Sequence, residues 1–265
     1  MGPIALVREV SDAFIDCVTE TPTSPPLDAA VARRQHAAYT TALVEHGFTL
    51  EWVAMAPDLP DACFVEDTAV VLDDAALLTV PGHPNRRHET TSVGEALERF
   101  VAVEWMASPA TLDGGDVLQV GSTVFVGVGS RTNADGIAAL ERFAGVRGRR
   151  VVPVHTSGVL HLKSAATALD DETVLMHEAS VETDAFHCFR TVPVADDDPG
   201  AANVVRLPDG TLLASSAFPN TADRLESLGH RVSTVDVSEI ARADGGLTCL
   251  SIRLRKWTTS APLLS

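Results

Sequence analysis

The sequence predicts an α/β fold in which five strand–strand–helix–strand modules form a propeller around one central site. Three observations predict it: β-rich runs occur in pairs, the pairs recur at nearly constant spacing, and most pairs precede a stretch with helical periodicity. The 265 residues, of which 45% are hydrophobic, suffice for the packed core that such a fold needs.

The β-rich runs are separated by short polar or glycine-containing segments, which is typical of hairpin turns. Four such pairs occur, and a fifth apolar run, LTCLSIRL, follows them without a partner after it. The leading run of each module begins about 45 residues after the previous one, a period that is typical of repeat architectures. These runs begin near Phe64, Leu112, Leu160, Asn203 and Leu247.

Helices are predicted between the hairpins because apolar residues recur there at helical spacing. They cover residues 27–45, 91–101, 133–143, 220–228 and 237–242. Asn133 is a candidate N-cap, and Gly47 is a candidate C-cap for the first helix. Residues 11–27 are the most loop-like stretch. No Pro- or Ser-rich linker divides the chain, so we predict that residues 1–265 form one domain.

The charge balance excludes two classes of protein. There are 36 acidic residues against 20 lysines and arginines, which gives a formal net charge of −16. A general nucleic-acid binder needs a basic surface for phosphate contacts, and docking on anionic lipid needs one as well. We therefore expect neither nucleic acid nor membrane as a partner.

The N-terminus and the cysteines predict a cytoplasmic protein. The sequence MGPIALVREV has no basic stretch followed by an apolar run, as a signal peptide would, and no window of 18 apolar residues occurs. Cys17, Cys63, Cys188 and Cys249 are scattered and form no C-x-x-C motif. The sequence therefore predicts neither a zinc site nor a disulfide scaffold.

Cys249 and His161 are the candidate nucleophile and general acid/base. Taken singly, a lone cysteine is more often a buried core residue, and a histidine between two leucines is more often structural. Both residues, however, begin leading runs of different modules, so the repeat places them at the same central site. Lys163, two residues after His161, would face the same side if the segment were a strand.

Several acidic and basic residues near the starts of the leading runs are candidates for binding. In FVEDTAVV, Glu66 and Asp67 interrupt an apolar run, and an inward-facing carboxylate needs a cation or hydrogen-bond donors. Asp61 lies just upstream. Asp113 and Asp116 of LDGGDVL by themselves fit an ordinary turn. The remaining candidates are arginines that follow strand ends and could hold a carboxylate, namely Arg86, Arg87 and Arg131.

Six motifs in order along the chain resemble the guanidine-modifying enzymes of the pentein superfamily, in particular the dimethylarginine dimethylaminohydrolase family. They extend from Asp61 to Cys249, and although each is weak alone, all six together are specific. The motifs are PDACFVEDTAVV, TVPGHPNRRHE, ATLDGGDVLQVG, FVGVGSRTN, LHLKS and GGLTC. The resemblance implies a five-bladed ββαβ propeller with pseudo-fivefold symmetry around a central active site.

The resemblance also implies catalytic roles for three residues. Cys249 in LTC matches the nucleophile and His161 in LHLKS matches the general acid/base. Asp113 in DGGD would orient His161, in a place where some bacterial relatives carry glutamate.

The implied binding residues surround the two ends of an arginine-like substrate. Glu66 and Asp67 match residues that bind the substrate guanidinium, and Asp61 matches the partner of the α-amine. Arg86 and Arg131 match a clamp on the α-carboxylate. Val18, within residues 11–27, matches an apolar residue of a lid over the substrate.

These assignments predict hydrolysis of an N-ω-methylated L-arginine to L-citrulline and a methylamine through a covalent thiouronium on Cys249. The partner is then a small cationic amino acid, no metal or organic cofactor is expected, and a homodimer is compatible with the sequence. Arginine deimination or amidino transfer on the same scaffold is the nearer alternative, although those enzymes are usually longer. A non-enzymatic five-bladed binding module is the alternative from another class.

Overall fold

The computed structural model describes residues 2–254, which form five three-stranded sheets in a five-bladed ββαβ propeller. In each sheet the first two strands are antiparallel and the third runs parallel to the second. The strands of this region are β1 (Ile4–Val7), β2 (Thr49–Trp52), β3 (Ala69–Leu72), β4 (Ala75–Leu78), β5 (Ala102–Trp105), β6 (Val117–Val120), β7 (Thr123–Val128), β8 (Arg150–His155), β9 (Ala166–Ala168), β10 (Thr173–Met176), β11 (Arg190–Pro193), β12 (Val205–Arg206), β13 (Leu212–Ser215), β14 (Val232–Val235) and β15 (Ile252–Leu254).

Four sheets consist of consecutive strands, and the fifth joins the two ends of the described chain. In that sheet β15 is antiparallel to β1, with Leu6 opposite Ile252, and β1 is parallel to β2. The last leading run therefore completes the first module. This pairing accounts for the fifth run that has no partner after it in the sequence.

Five α-helices occur in the described chain: α1 (Ala29–Glu45), α2 (Thr90–Leu97), α3 (Ala134–Gly145), α4 (Pro219–Ser227) and α5 (Ser238–Arg242). Asp28 caps α1 by accepting from the N–H groups of Ala30 and Val31, and Asn133 caps α3 by accepting from that of Gly136. Gly47 follows α1 with φ +102°, the left-handed conformation that glycine adopts most readily. Within residues 2–254 no helix has the length and apolar character needed to cross a bilayer.

The helices pack between neighbouring sheets. Leu140 and Phe143 of α3, for example, belong to one buried cluster with Val70 of β3, Val117 of β6 and Val124 of β7. In the module of β9, β10 and β11 two 3₁₀ turns, Glu178–Ser180 and Thr183–Phe186, stand where the other modules have a helix. Phe186 stacks on Phe125 of β7 with a centroid distance of 4.3 Å.

The leading runs differ from their prediction in one respect that matters for function. A 3₁₀ turn stands within the start of each run, or directly before it in the fourth, and the strand begins only afterwards. The turns are Val65–Thr68, Gly114–Asp116, Leu162–Ser164, Pro199–Ala202 and Thr248–Leu250. Glu66, Asp67 and Lys163, which lie in predicted β-rich runs, are therefore turn residues and not strand residues. A turn lets adjacent polar side chains reach separate partners inside the protein, which a strand facing an apolar core does not allow.

Candidate active site

Most of the predicted site residues line one small cavity. Its walls include Val18, Asp61, Asp67, Arg86, Arg131, His161 and Cys249. The cavity encloses about 20 Å³, which is room for about one water molecule. Phe64, Leu160 and Asp244, which the sequence did not single out, also line it.

Cys249 lies in the turn that precedes β15, and its thiol is half-buried. The backbone N–H of Gly246 lies 3.4 Å from Sγ. Burial raises the pKa of the Cys249 thiol well above its usual range, and the nearby carboxylates of Asp67 and Glu66 raise it further. A cation placed beside the thiol would oppose both effects.

His161 is buried and held by Asp113, whose side chain is fully buried behind the cavity. Nε2 of His161 lies 2.9 Å from Oδ2 of Asp113, and Oδ1 of Asp113 accepts from the N–H of Gly82 at 2.8 Å. Burial lowers the pKa of His161, but the carboxylates of Asp67, Asp113 and Asp116 outweigh it and raise that pKa to about 9. The imidazole is therefore ready to donate a proton at neutral pH.

Asp67 presents a buried carboxylate to the cavity. One oxygen accepts from the N–H of Gly115 at 2.9 Å, and the other accepts from Nη1 of Arg86 at 2.5 Å. Nδ1 of His161 lies 3.9 Å from Asp67. Burial alone would raise the pKa of Asp67, but His161, Arg86 and the N–H of Gly115 lower it below its usual range. Asp67 is thus an anion in the middle of the site.

Arg86 is directed at protein groups. Its Nε and Nη2 groups donate to the carboxylate of Glu89 at 3.2 and 2.8 Å, and Nη2 also donates to the carbonyl oxygen of Phe64 at 3.0 Å. Together with the bond to Asp67, these contacts use most of the five N–H donors of a guanidinium. Little donor capacity remains for a substrate carboxylate.

Glu89 was missed by sequence reasoning, although a signal for it was present. The spacing of Arg86 and Glu89 in RRHE is that of an i, i+3 ion pair on a helical turn. The backbone carbonyl of Glu89 accepts from Arg8, a fully buried arginine, at 3.1 Å. Arg8, Glu89, Arg86 and Asp67 thus form a buried series of charged groups that ends at the cavity.

Asp61 and Arg131 contact the segment predicted to form a lid. The N–H of Val18 lies 3.3 Å from both carboxylate oxygens of Asp61, and Nη2 of Arg131 donates to the carboxylate of Glu20 at 3.1 Å. The segment includes the 3₁₀ turn Asp12–Asp16 and covers the cavity with Val18. Residues 18–20 therefore lie directly over the site.

Glu66 lies away from this cavity, contrary to what the resemblance implied. Its Oε1 contacts Nζ of Lys163 at 2.7 Å and Nη2 of Arg253 at 3.1 Å. All three residues border a second, wider cavity of about 1600 Å³. Oε2 of Glu66 is buried and has no hydrogen-bond partner among the described residues.

Asp116 and Asn203 support the site from behind. Asp116 accepts from the N–H of Leu162 at 3.1 Å and from the hydroxyl of Thr132 at 2.6 Å, which fixes the turn that carries His161. The side-chain oxygen of Asn203 accepts a hydrogen bond from the backbone N–H of Thr248 at 3.1 Å, which fixes the turn of Cys249. Asn203 begins the fourth leading run, so aligning the five modules would have identified it.

Gly114 and Gly115 are required by close packing rather than by an ordinary turn. A Cβ atom on Gly114 would lie 2.0 Å from the carbonyl oxygen of Glu66, and one on Gly115 would lie 2.7 Å from Nδ1 of His161. Both distances are far below a van der Waals contact. The D-G-G-D motif thus lets two central turns and the imidazole approach one another.

Among the described residues, Asp67, Asp113 and His161 also lie as close together as a metal site would require. Their ligand atoms are all within 4.8 Å of one another. Arg86 already supplies a positive charge to Asp67 at 2.5 Å, and a dication would compete with it. A raised pKa on His161 favours its protonated form, which is not a metal ligand. The chemistry of these groups fits proton transfer better than metal binding.

Known proteins with similar sequences share nearly the whole chain. The sequence profile of the arginine deiminase family matches residues 29–208. An N(G),N(G)-dimethylarginine dimethylaminohydrolase from Streptomyces coelicolor is 43% identical over 254 residues, which are 95% of this chain and 97% of that protein. A protein of the same name from Pseudomonas aeruginosa is 30% identical and covers 94% of this chain and 98% of its own.

Solved structures agree with this relationship. A variant of the Pseudomonas aeruginosa enzyme in complex with citrulline matches with a TM-score of 0.89 and 29% identity, over 96% of this chain and 100% of that one. The N-terminal domain of a cyanobacterial arginine dihydrolase matches with a TM-score of 0.85 at 18% identity, over 96% and 97% of the two chains, and thereby supports the fold alone. The chain belongs to the dimethylarginine dimethylaminohydrolase family and has the pentein fold.

Proposed function

We propose that the chain hydrolyses N-ω-dimethylated L-arginine to L-citrulline and dimethylamine. The observation that carries this proposal is that one buried cavity brings together a thiol, an imidazole with a raised pKa and an unprotonated carboxylate: Cys249, His161 and Asp67. The substrate is a small cationic molecule, and the unprotonated carboxylate of Asp67 favours its guanidinium. The relatives named above support the same reaction.

The substrate guanidinium binds beside Asp67 and activates the nucleophile. Its positive charge lowers the pKa of Cys249, which burial and the neighbouring carboxylates otherwise hold high. The thiol then loses its proton to solvent water, since His161 is already protonated, and the thiolate attacks the central guanidine carbon to form a C–S bond. Binding and activation are thereby the same event.

His161 acts in both halves of the reaction. It donates its proton to the dimethylated nitrogen as the C–N bond breaks, and dimethylamine leaves a thiouronium on Cys249. His161 then accepts a proton from a water molecule that attacks the same carbon. The C–S bond breaks, the thiolate is regenerated and citrulline departs. Asp113 keeps the imidazole in one orientation throughout.

The other end of the substrate is held by Asp61 and Arg131. Asp61 binds the α-ammonium, and Arg131 binds the α-carboxylate through Nη2, which contacts Glu20, an exposed lid residue. Arg86 positions Asp67 and has a minor part in the carboxylate clamp, since its donors are occupied.

The whole of residues 1–265 serves this reaction as one domain. The pairing of β15 with β1 supports that arrangement. The protein acts in the cytoplasm, in keeping with four cysteines that are all free in the structure.

The proposal is tested by incubating purified protein with dimethylarginine, arginine and agmatine, and by measuring citrulline and amine release. We expect dimethylarginine to be converted with the highest kcat/KM. Cys249→Ser should reduce turnover to background, whereas Cys188→Ser, a change at an exposed cysteine, should leave it at the wild-type level. In His161→Gly, citrulline release from dimethylarginine should fall to background, because both the departure of dimethylamine and the activation of water need the imidazole.

A strong preference for arginine would assign the chain to the deiminase alternative, and amidino transfer would require an acceptor amine to raise product formation. A fully active Cys249→Ser variant would refute the mechanism. Binding without turnover of any guanidine would support the non-enzymatic alternative.

A further inference from the structure

We propose that Glu20 is a specificity-determining residue of the lid, whose carboxylate occupies Arg131 until the α-carboxylate of the substrate replaces it. This inference rests on the proposed function, because it takes Arg131 as the binding group for that carboxylate. It adds a residue that lies outside the six motifs and a reason why the substrate must be a complete amino acid.

Three contacts join residues 18–20 to the walls of the cavity. The N–H of Val18 approaches Asp61 at 3.3 Å, the N–H of Glu20 donates to Asp244 at 2.6 Å, and the carboxylate of Glu20 accepts from Arg131 at 3.1 Å. Asp61, Arg131 and Asp244 all line the cavity. The lid is therefore closed by the same polar groups that face the substrate.

Two of these contacts use the same kinds of group as the two ends of an amino acid, a nitrogen donor and a carboxylate. A backbone N–H at Asp61 stands where an α-ammonium would donate, and a carboxylate at Arg131 stands where an α-carboxylate would accept. The cavity left beneath them, about 20 Å³, is too small for an arginine. An amino acid therefore displaces both contacts when it binds, whereas a guanidine without a carboxylate displaces the Val18 contact and leaves Glu20 on Arg131.

The two members of the Glu20–Arg131 pair differ in exposure, which makes the exchange favourable. The side chain of Arg131 is 10% exposed and that of Glu20 is 58% exposed. Glu20 regains water when it leaves, whereas Arg131 would remain as a largely buried charge without a partner. An incoming carboxylate supplies that partner, and a guanidine without a carboxylate does not.

Asp244 connects this exchange to the nucleophile. It precedes Gly245 and Gly246, adopts φ +55°, and lies five residues before Cys249 on the loop that enters the catalytic turn. Because Asp244 accepts from the N–H of Glu20, departure of the lid also frees a carboxylate on the loop that leads to Cys249.

The experiment compares wild type, Glu20→Gln and Asp16→Asn with dimethylarginine as substrate. Asp16 is an exposed acid on the same segment, so its change controls for the loss of one lid charge. In Glu20→Gln we expect KM to fall about two- to fivefold, the range that a half-exposed ion pair supports. Its kcat should stay within about twofold of wild type. Asp16→Asn should keep both constants at wild-type values.

A second readout tests the role of the carboxylate. The inhibition constant of L-citrulline should fall in Glu20→Gln by the same factor as KM, whereas that of agmatine, which has no carboxylate, should not change. An equal fall for both ligands would indicate a generally looser lid and would overturn the inference. An unchanged or higher KM would overturn it as well, while turnover by wild type would leave the proposed function standing. Lack of turnover by wild type would overturn both.

Discussion

Glu66 and Asp67 are adjacent residues of one 3₁₀ turn, both nearly inaccessible to water, yet they belong to different regions of the molecule. Glu66 faces Lys163 and Arg253 beside the wide cavity. Asp67 faces Arg86 and His161 beside the small cavity. One turn thus places one carboxylate in a cluster of ion pairs and the next carboxylate in the candidate active site.

The difference lies in the balance of charge. Around Glu66 two cations neutralise one carboxylate, so the group of three carries no need for a further cation. Around Asp67 the charge of Arg86 is shared with Glu89, and a protonated His161 is shared with Asp113. The small cavity therefore keeps a carboxylate available to a cationic ligand, and in the proposed mechanism such a ligand lowers the pKa of the nearby thiol.

The largest effect that would test this comparison is on catalysis. Asp67→Asn should lower kcat/KM for dimethylarginine by about 1000-fold, because removal of one partner of a buried charge pair costs about 4 kcal/mol. Steady-state kinetics would measure it. The matched change Glu66→Gln, one residue earlier, should lower kcat/KM by less than about tenfold.

If both variants lost activity to the same extent, the division between a structural and a chemical carboxylate would be wrong. Circular dichroism of Asp67→Asn should remain that of wild type, since the amide oxygen can still accept from the N–H of Gly115. A loss of folded structure in this variant would assign the defect to stability instead.

A smaller catalytic effect is expected at Asp113. In Asp113→Asn the side-chain oxygen still accepts from Gly82, but the amide donates toward Nε2 of His161 and disfavours the protonated imidazole. We expect kcat to fall about 100-fold, within the range that general acid–base catalysis supplies. Asp116→Asn, which bonds to Thr132 and Leu162 instead, should reduce kcat far less.

The pH dependence of stability gives an independent measure. Because the pKa of His161 is raised from 6.5 to about 9 in the folded protein, its protonation stabilises the fold fully below about pH 6.5. That contribution is lost as the pH rises through about 9. In Asp113→Asn the loss should be complete at a lower pH, as followed by Tm between pH 6 and 10. Identical Tm profiles would contradict the assigned partner of His161.

The sequence predicted the surroundings of Asp67 better than those of Glu66. The modules, the helices and most of the charged residues that line the small cavity follow from periodicity and from motifs, both of which are local in sequence. The partners of Glu66 could not be predicted, because Lys163 and Arg253 come from other modules. Adjacent residues in a motif carry no information about which of two cavities each side chain faces.

Arg86 illustrates the same limit from the opposite direction. Its motif predicted a ligand contact, and only the structure shows that Glu89 and Asp67 already occupy most of its donors. Glu20 is a third case, because the role proposed for it depends on a contact with Arg131, which is distant in sequence. Long-range pairing of charges, rather than secondary structure, is what sequence reasoning lacked here.

A moderate effect on stability is expected for the structural cluster. Glu66→Gln should lower the free energy of unfolding by about 2 kcal/mol, less than the loss of a whole partner would, because the amide oxygen still accepts hydrogen bonds. Urea denaturation would measure it. Lys163→Met should destabilise the protein similarly, and the double variant should lose less than the sum of the two. Strict additivity would show that Glu66 and Lys163 do not stabilise each other.

The smallest effect is expected for an ion pair at the surface, which sets the baseline for the two buried ones. Arg149 contacts both oxygens of Asp73 at the exposed turn between β3 and β4, with one contact of 3.0 Å. Asp73 has φ +55°, a conformation that asparagine adopts as readily as aspartate, so Asp73→Asn removes the charge without straining the backbone. The free energy of unfolding should fall by less than about 1 kcal/mol at low salt, and the difference should shrink in 1 M NaCl. If Asp73→Asn cost as much stability as Glu66→Gln, burial would not distinguish the cluster around Glu66 from an ordinary surface pair.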